Sequence, residues 1–246
     1  MHGRRTFLRT AAMLPVAAGL GLLGAGTAHA YNWTRPLRSG DSGDDVRELQ
    51  IRVAGWAADS PSKTNVAVDG KFGPGTEAAV KRFQRAYGLT ADGVAAATTH
   101  AKLNALESAD GSTAHFEFAE FHSKDGSGFS GGKVGAATVK ENVRRLMYKL
   151  EAVRVKIGNK PMNINSGFRS IAHNSSVGGA PNSQHLYGIA ADFASSGVAT
   201  RTLYVAAESS GFSGLERYTV SWQHADSRVE YPYGAQTWWW ESGVVT

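Results

Sequence analysis

The chain has 246 residues, 42% apolar and 19% charged, which is enough to bury a core over one or two domains and too apolar for a disordered chain. It contains no cysteine, which excludes a thiolate metal site, a cysteine nucleophile and a disulfide framework; only histidine and carboxylate remain to hold a metal. Of its 26 basic residues three, Arg4, Arg5 and Arg9, stand in the first thirty, where there is no acid; the other 23 face 21 acidic groups, a near-balance that gives no nucleic-acid footprint.

Residues 1–30 read as a segment that is removed. In GRRTFLRT paired arginines precede Phe7 and Leu8, an uncharged run rich in Ala, Leu and Gly continues to Ala30, and Ala28-His29-Ala30 supplies a small-residue cleavage pattern. The segment resembles a twin-arginine export signal, which implies a protein exported already folded. Pro15 and the glycines leave the run too weakly apolar for a confident span, so no stable membrane insertion is expected after cleavage.

Residues 38–107 carry a loose internal repeat. DDVRELQIRV spaces Val46, Leu49 and Val53 for one helical face, and TEAAVKRFQRAYGL spaces Ala79, Val80, Phe83 and Tyr87 likewise. Asp69-Gly70 marks a turn before the second helix, and Asp92-Gly93 one before a third helix ending near Leu103. The run LRSGDSGDDVRELQ…VDGKFGPGTEAAVKRFQRAYGLTADGVAAATT resembles the three-helix peptidoglycan-binding domain attached to many bacterial wall hydrolases. That resemblance assigns residues 31–107 to a wall-binding unit and makes peptidoglycan the expected partner.

Residues 108–132, with SADGST and HSKDGSGFSGG, read as linker around a short packed element, HFEFAEF. GFSGGKV is not a phosphate loop, because Val134 stands where Ser or Thr must bind a metal. From Thr138 to Val155 the spacing of Val139, Val143, Leu146, Leu150 and Val153 predicts a helix with one buried side and Lys and Arg on the other. MNINS alternates as a strand, and HNSSVGGAPNSQ follows as a polar loop without period.

Next comes HLYGIAADFA, in which Ile189, Ala191 and Phe193 alternate with Ala190, Asp192 and Ala194 as in a strand. A carboxylate among such small apolar neighbours is costly to bury unless it meets a cation or several donors. His185 stands just before this strand. In RYTVSWQHADSR a second strand puts Val220, Trp222, His224 and Asp226 on one face. Two histidines and one carboxylate, with the fourth position left to water, are a common catalytic zinc set, so His185, Asp192 and His224 are candidate ligands of one Zn2+ per chain. Spacing alone leaves open that each histidine is a satisfied structural group.

Residues 115–230 also resemble the zinc D-alanyl-D-alanine carboxypeptidase family of wall peptidases, through NSGFRS, VGGAPNSQHLYGIAADF and GFSGLERY…WQHADSR in that order. The resemblance assigns residues 108–246 to a peptidase domain. It implies an α+β fold in which a small antiparallel sheet with helices carries a zinc site, preceded by the small three-helix domain. By the same match Ser183, His185 and Asp192 fit the family's Ser-x-His and following Asp, His224 fits its last metal histidine, and Arg169 is placed at the substrate's carboxylate or carbonyl. Ser221 replaces a carboxylate found in some members, which makes Asp226 the nearest acidic candidate for the general base or, equally, an orienter of His224.

The implied activity is zinc-dependent hydrolysis of D-Ala-D-Ala-type bonds by a secreted, wall-associated monomer. A cross-link endopeptidase and a degenerate wall-binding protein are the alternatives. Two Ser-x-x-Lys patterns, Ser60 to Lys63 and Ser130 to Lys133, lack the downstream motifs of a serine D,D-peptidase, and HExxH is absent. Trp238, Trp239 and Trp240 either cap the core or line a wall-binding face, with core packing expected.

Overall fold

The computed structural model describes residues 30–216 and 221–241; the export-signal reading of residues 1–29 and the strand position of Val220 lie outside the described residues. Among the described residues no helix is long and apolar enough to cross a membrane.

The first unit is built from α1 (Asp44–Val53), α2 (Pro74–Ala86) and α3 (Ala97–Asn104). Asp44 and Asp45 begin α1 and Arg52 ends it, an order of charge that follows the helix dipole. Pro74 opens α2, where its missing N–H costs nothing. Val46, Leu49, Val53, Ala79, Val80, Phe83 and Leu103 all enter one buried cluster, with Tyr87 partly buried against it.

The repeat is also visible as a duplicated polar latch. Gln50 Nε2 donates to Asp69 Oδ1 (2.9 Å), Lys71 O (3.0 Å) and Thr76 Oγ1 (3.1 Å), while Gly70 N–H donates to Gln50 Oε1 (2.8 Å). Gln84 repeats this with Asp92 Oδ1 (2.8 Å), Val94 O (3.0 Å), Thr99 Oγ1 (3.1 Å) and Gly93 N–H (2.9 Å). Each Asp-Gly turn is thereby tied to the preceding helix, and the buried amides are satisfied.

The second unit contains α4 (Ala136–Lys156), β1 (Asn163–Ser166), α5 (Ile171–Ser176), β2 (Ala190–Ala194), α6 (Thr200–Ser209), β3 (Gly214–Glu216), β4 (Gln223–Asp226) and β5 (Trp239–Trp240). The strands form one sheet in the order β1-β2-β4-β3-β5, antiparallel except at the β3–β5 edge, which is parallel. The α+β class with a small sheet therefore holds. Phe116, Phe118 and Phe121 of the expected packed element, together with α4 and α6, cover Ala191, Phe193, Leu215 and Ala225 in a second buried cluster.

Two expectations change. The stretch expected as a polar loop begins inside α5, whose first turn is capped by Ser170 Oγ accepting from His173 N–H (2.9 Å). Helix α4 has two buried sides, not one. Val139, Val143, Leu146, Leu150 and Val153 face the sheet-side core, whereas Tyr148 and Ala152 belong to the cluster of the first unit. The basic residues expected to face water are used at that contact: Arg144 Nη2 and Nη1 donate to Glu48 Oε2 (2.6 Å) and Oε1 (3.0 Å). Tertiary packing has covered a helix face that amphipathic spacing alone assigns to solvent.

Candidate metal centre

The register of the sheet builds the site. Ser166 pairs with Asp192, Asp192 with His224, and His224 with Glu216, across β1, β2, β4 and β3. Residues directly opposite in antiparallel strands project from the same face. His185 reaches this face from a 3-10 turn, Gln184–Tyr187, that leads into β2.

His185, Asp192 and His224 are all buried, and one ligand atom from each lies within 4.8 Å of the other two, so the group could hold one metal ion. Asp192 Oδ1 is 3.2 Å from His185 Nε2 and 2.8 Å from His224 Nδ1. The far nitrogen of each ring is engaged elsewhere. His185 Nδ1 is 2.6 Å from Gly167 O, an acceptor only, so that nitrogen carries the proton and Nε2 offers a lone pair. His224 Nε2 is 3.2 Å from Asp226 Oδ2, which turns Nδ1 toward Asp192. Backbone carbonyl and carboxylate behind the two rings are the usual outer partners of metal-bound histidines.

The charges agree with this arrangement. Burial pushes the Asp192 carboxyl up, but the two histidines more than offset it and the net displacement is well below the usual carboxylate range. Burial likewise opposes ionisation of Asp226, yet hydrogen bonds from His224 and Arg228 bring it down to about 2. His185 is pushed down, mainly by burial. A buried anion flanked by two imidazoles and a guanidinium is a place for a cation to share.

Around the triad lies a cavity of about 420 Å³, lined in part by Arg169, Ser183, Glu216, Trp222 and Arg228. Arg169 Nη2 donates to Asp192 Oδ2 (2.7 Å) and its Nε to Ser166 Oγ (2.8 Å). Ser183 immediately precedes the 3-10 turn that carries His185 and is partly buried in the cavity wall. Asp226 does not line the cavity. It is fully buried, and Arg228 grips it through Nη2 to Oδ2 (2.6 Å) and Nε to Oδ1 (2.9 Å). A Cβ on Gly214, its partner on β3, would lie 2.2 Å from Asp226 Oδ2, so glycine there makes room for the pair. A larger groove of about 780 Å³, beside α2 and α6, shares no lining residue with this cavity and holds none of the three candidate ligands.

Residues 114–226 match the family model described as Peptidase M15, and residues 42–103 the one described as a putative peptidoglycan binding domain. A zinc D-Ala-D-Ala carboxypeptidase from Streptomyces albus G is 46% identical over 185 residues, covering 75% of this chain and 71% of that protein. The chain belongs to the M15 peptidases. An N-acetylmuramoyl-L-alanine amidase, CwlL of Bacillus licheniformis, is 44% identical to the peptidase over 78 residues, 31% of this chain and 21% of that one. Among solved structures the SleB N-terminal domain is 38% identical and covers 29% of this chain and 90% of its own, at a TM-score of 0.25.

Sequence reading brought Arg169, Ser183, His185, Asp192 and His224 of the peptidase to one place but missed Glu216 and Arg228. Glu216 sits on a three-residue strand, too short to declare a period, and its carboxyl is raised by burial, with His224 opposing. Arg228 is hidden by chain reversal: only the turn after β4 folds it back onto Asp226. The aromatic tail divides. Trp240 packs against the sheet-side core and donates Nε1–H to Phe212 O (3.2 Å), whereas Trp239 is 38% exposed with the Arg228 guanidinium 5.2 Å from its ring centre.

Proposed function

We propose that this peptidase is a zinc enzyme of the bacterial cell wall that removes the terminal D-alanine from stem peptides ending in D-Ala-D-Ala. Residues 31–107 serve as its wall-binding unit and residues 108–246 as its peptidase domain, and it acts outside the cell as a monomer after twin-arginine export. The observation that carries the reading is the meeting of His185, Asp192 and His224 in one cavity with Arg169 beside them. The donor set fits the metal: two imidazole nitrogens and one carboxylate oxygen suit zinc, and leave a position for substrate or water. The relative from Streptomyces albus G carries zinc and D-Ala-D-Ala in its name.

Bound zinc supplies Lewis-acid chemistry, acidifying water and polarising a peptide carbonyl. The chain's own residues do the rest. Arg169 holds Asp192 through Nη2 and lines the cavity, where a guanidinium suits the free carboxylate of a peptide. Ser183 offers a hydroxyl to the peptide from the cavity wall. Asp226 acts as a positioning residue: it fixes the ring of His224, and its burial under Arg228 keeps it from the attacking water.

The test compares one stem peptide as its C-terminal acid and as its amide. Losing a charge-assisted bond of about 1.5 to 3 kcal/mol weakens kcat/KM for the amide by about tenfold to a hundredfold. Arg169→Ala is expected to erase most of that difference. Equal cleavage of acid and amide by the unmodified protein would reject the carboxypeptidase reading in favour of a cross-link endopeptidase.

A further inference from the structure

Hydrolysis of a peptide bond needs a group that takes a proton from water and gives one to the departing amine. On β2, β4 and β3 this face carries three carboxylates, and two are already engaged. Asp192 lies against both histidines and accepts from Arg169, and Asp226 is held by His224 and Arg228 outside the cavity lining. Glu216 is the third. It pairs with His224 in the β3–β4 register, it lines the cavity, and among the described residues no hydrogen bond or ion pair engages its carboxylate; only its backbone oxygen is used, by Gln223 Nε2 (2.8 Å).

Its place in the row is as telling as its freedom. Arg169, bonded to Ser166, marks the β1 end; then come Asp192 on β2, His224 on β4 and Glu216 on β3. Neighbouring strands are about 4.8 Å apart, so a cation in contact with Asp192 and a carboxylate one strand beyond His224 bracket the metal-holding residues from opposite sides. A peptide that spans this row with its terminal carboxylate on Arg169 would cross the triad to reach Glu216.

We propose that Glu216 is the proton carrier of the reaction. As the water oxygen bonds to the scissile carbonyl carbon, one water O–H bond breaks and its proton passes to the Glu216 carboxylate. As the C–N bond then breaks, the same proton passes to the amine nitrogen, and Glu216 is restored. Nothing is oxidised or reduced, and the products are a shortened peptide acid and free D-alanine. The inference rests on the peptidase reading above and names the residue of this chain that serves it.

The test uses the full-length zinc-loaded protein and Glu216→Gln, which keeps the shape and removes the basicity. Zinc content is expected to remain one per chain, the substrate peptide to bind within about threefold of wild type by calorimetry, and kcat to fall on the order of a hundredfold or more, the range of general acid–base contributions. Glu216→Asp is expected to fall between the two. A kcat within about fivefold of wild type, or loss of zinc from the Gln variant, overturns the proposal. Should wild type leave D-Ala-D-Ala peptides intact yet cut purified wall, the substrate reading fails, and the same comparison on wall fragments, followed through newly released amino groups, decides Glu216 separately.

Discussion

His224 Nε2 lies 3.2 Å from Asp226 Oδ2, and Arg228 closes the other side of the same carboxylate. The pair fixes which nitrogen of His224 faces Asp192. Asp226→Asn weakens that hold, and changes in such outer partners typically cost about tenfold to a hundredfold in metal affinity. Competition with a chromophoric chelator measures it. With zinc saturating, kcat is expected to stay within about tenfold of wild type; a hundredfold loss in the zinc-loaded variant would make Asp226 the base instead.

The purified wild type is expected to carry one zinc per chain, to lose hydrolysis on exhaustive chelation and to regain it when zinc is returned. Removing the ion also removes its linkage to folding, worth about 4 kcal/mol when free zinc is a thousandfold above Kd. Calorimetric Tm with and without chelator reads this term. Unchanged Tm and activity after chelation would falsify the site.

Gly55 approaches α4 so closely that a Cβ on it would lie 2.5 Å from the Ala152 Cβ and 2.9 Å from the Lys149 Cα. Gly55→Ala is therefore expected to cost about 1 to 3 kcal/mol as an overpacked contact. Arg144→Ala strips the bidentate partner from Glu48 but leaves it paired with Arg52, and is expected to cost about 1 to 3 kcal/mol. Denaturant midpoints of the full chain test both, and wild-type midpoints would deny the close docking of the first unit on α4.

His100 is stacked on Trp33, with ring centres 4.5 Å apart and planes 8° from parallel, and burial lowers its pKa from 6.5 to about 4. Folding opposes its protonation, so between about pH 6.5 and 4 the unfolded chain binds the extra proton and stability falls as pH falls through that window. His100→Phe keeps a ring on Trp33 without the proton. Its Tm is expected to fall less steeply than wild type across that window, and equal slopes would remove His100 from the account.

Local sequence determined α1 to α4, the paired Asp-Gly turns and the strands around Asp192 and His224. Each depends on a period of apolar residues or on turn chemistry that a short stretch of chain carries in itself. Spacing offered the three candidate ligands, with His185 and Asp192 seven residues apart and His224 on a strand of its own, but left structural histidines open until the resemblance to the wall peptidases was added. Tertiary structure decided the rest. The second buried face of α4 exists only because Gly55 and Glu48, about a hundred residues away in the chain, pack against it. Whether Asp226 meets water was decided by Arg228 folding back over it and by Gly214 leaving room. Glu216 became visible only through register, since its strand is three residues long and its partner on β4 comes later in the chain. A side chain's neighbours across a sheet are set by strand order, and β1-β2-β4-β3-β5 cannot be read from the linear spacing of the strands.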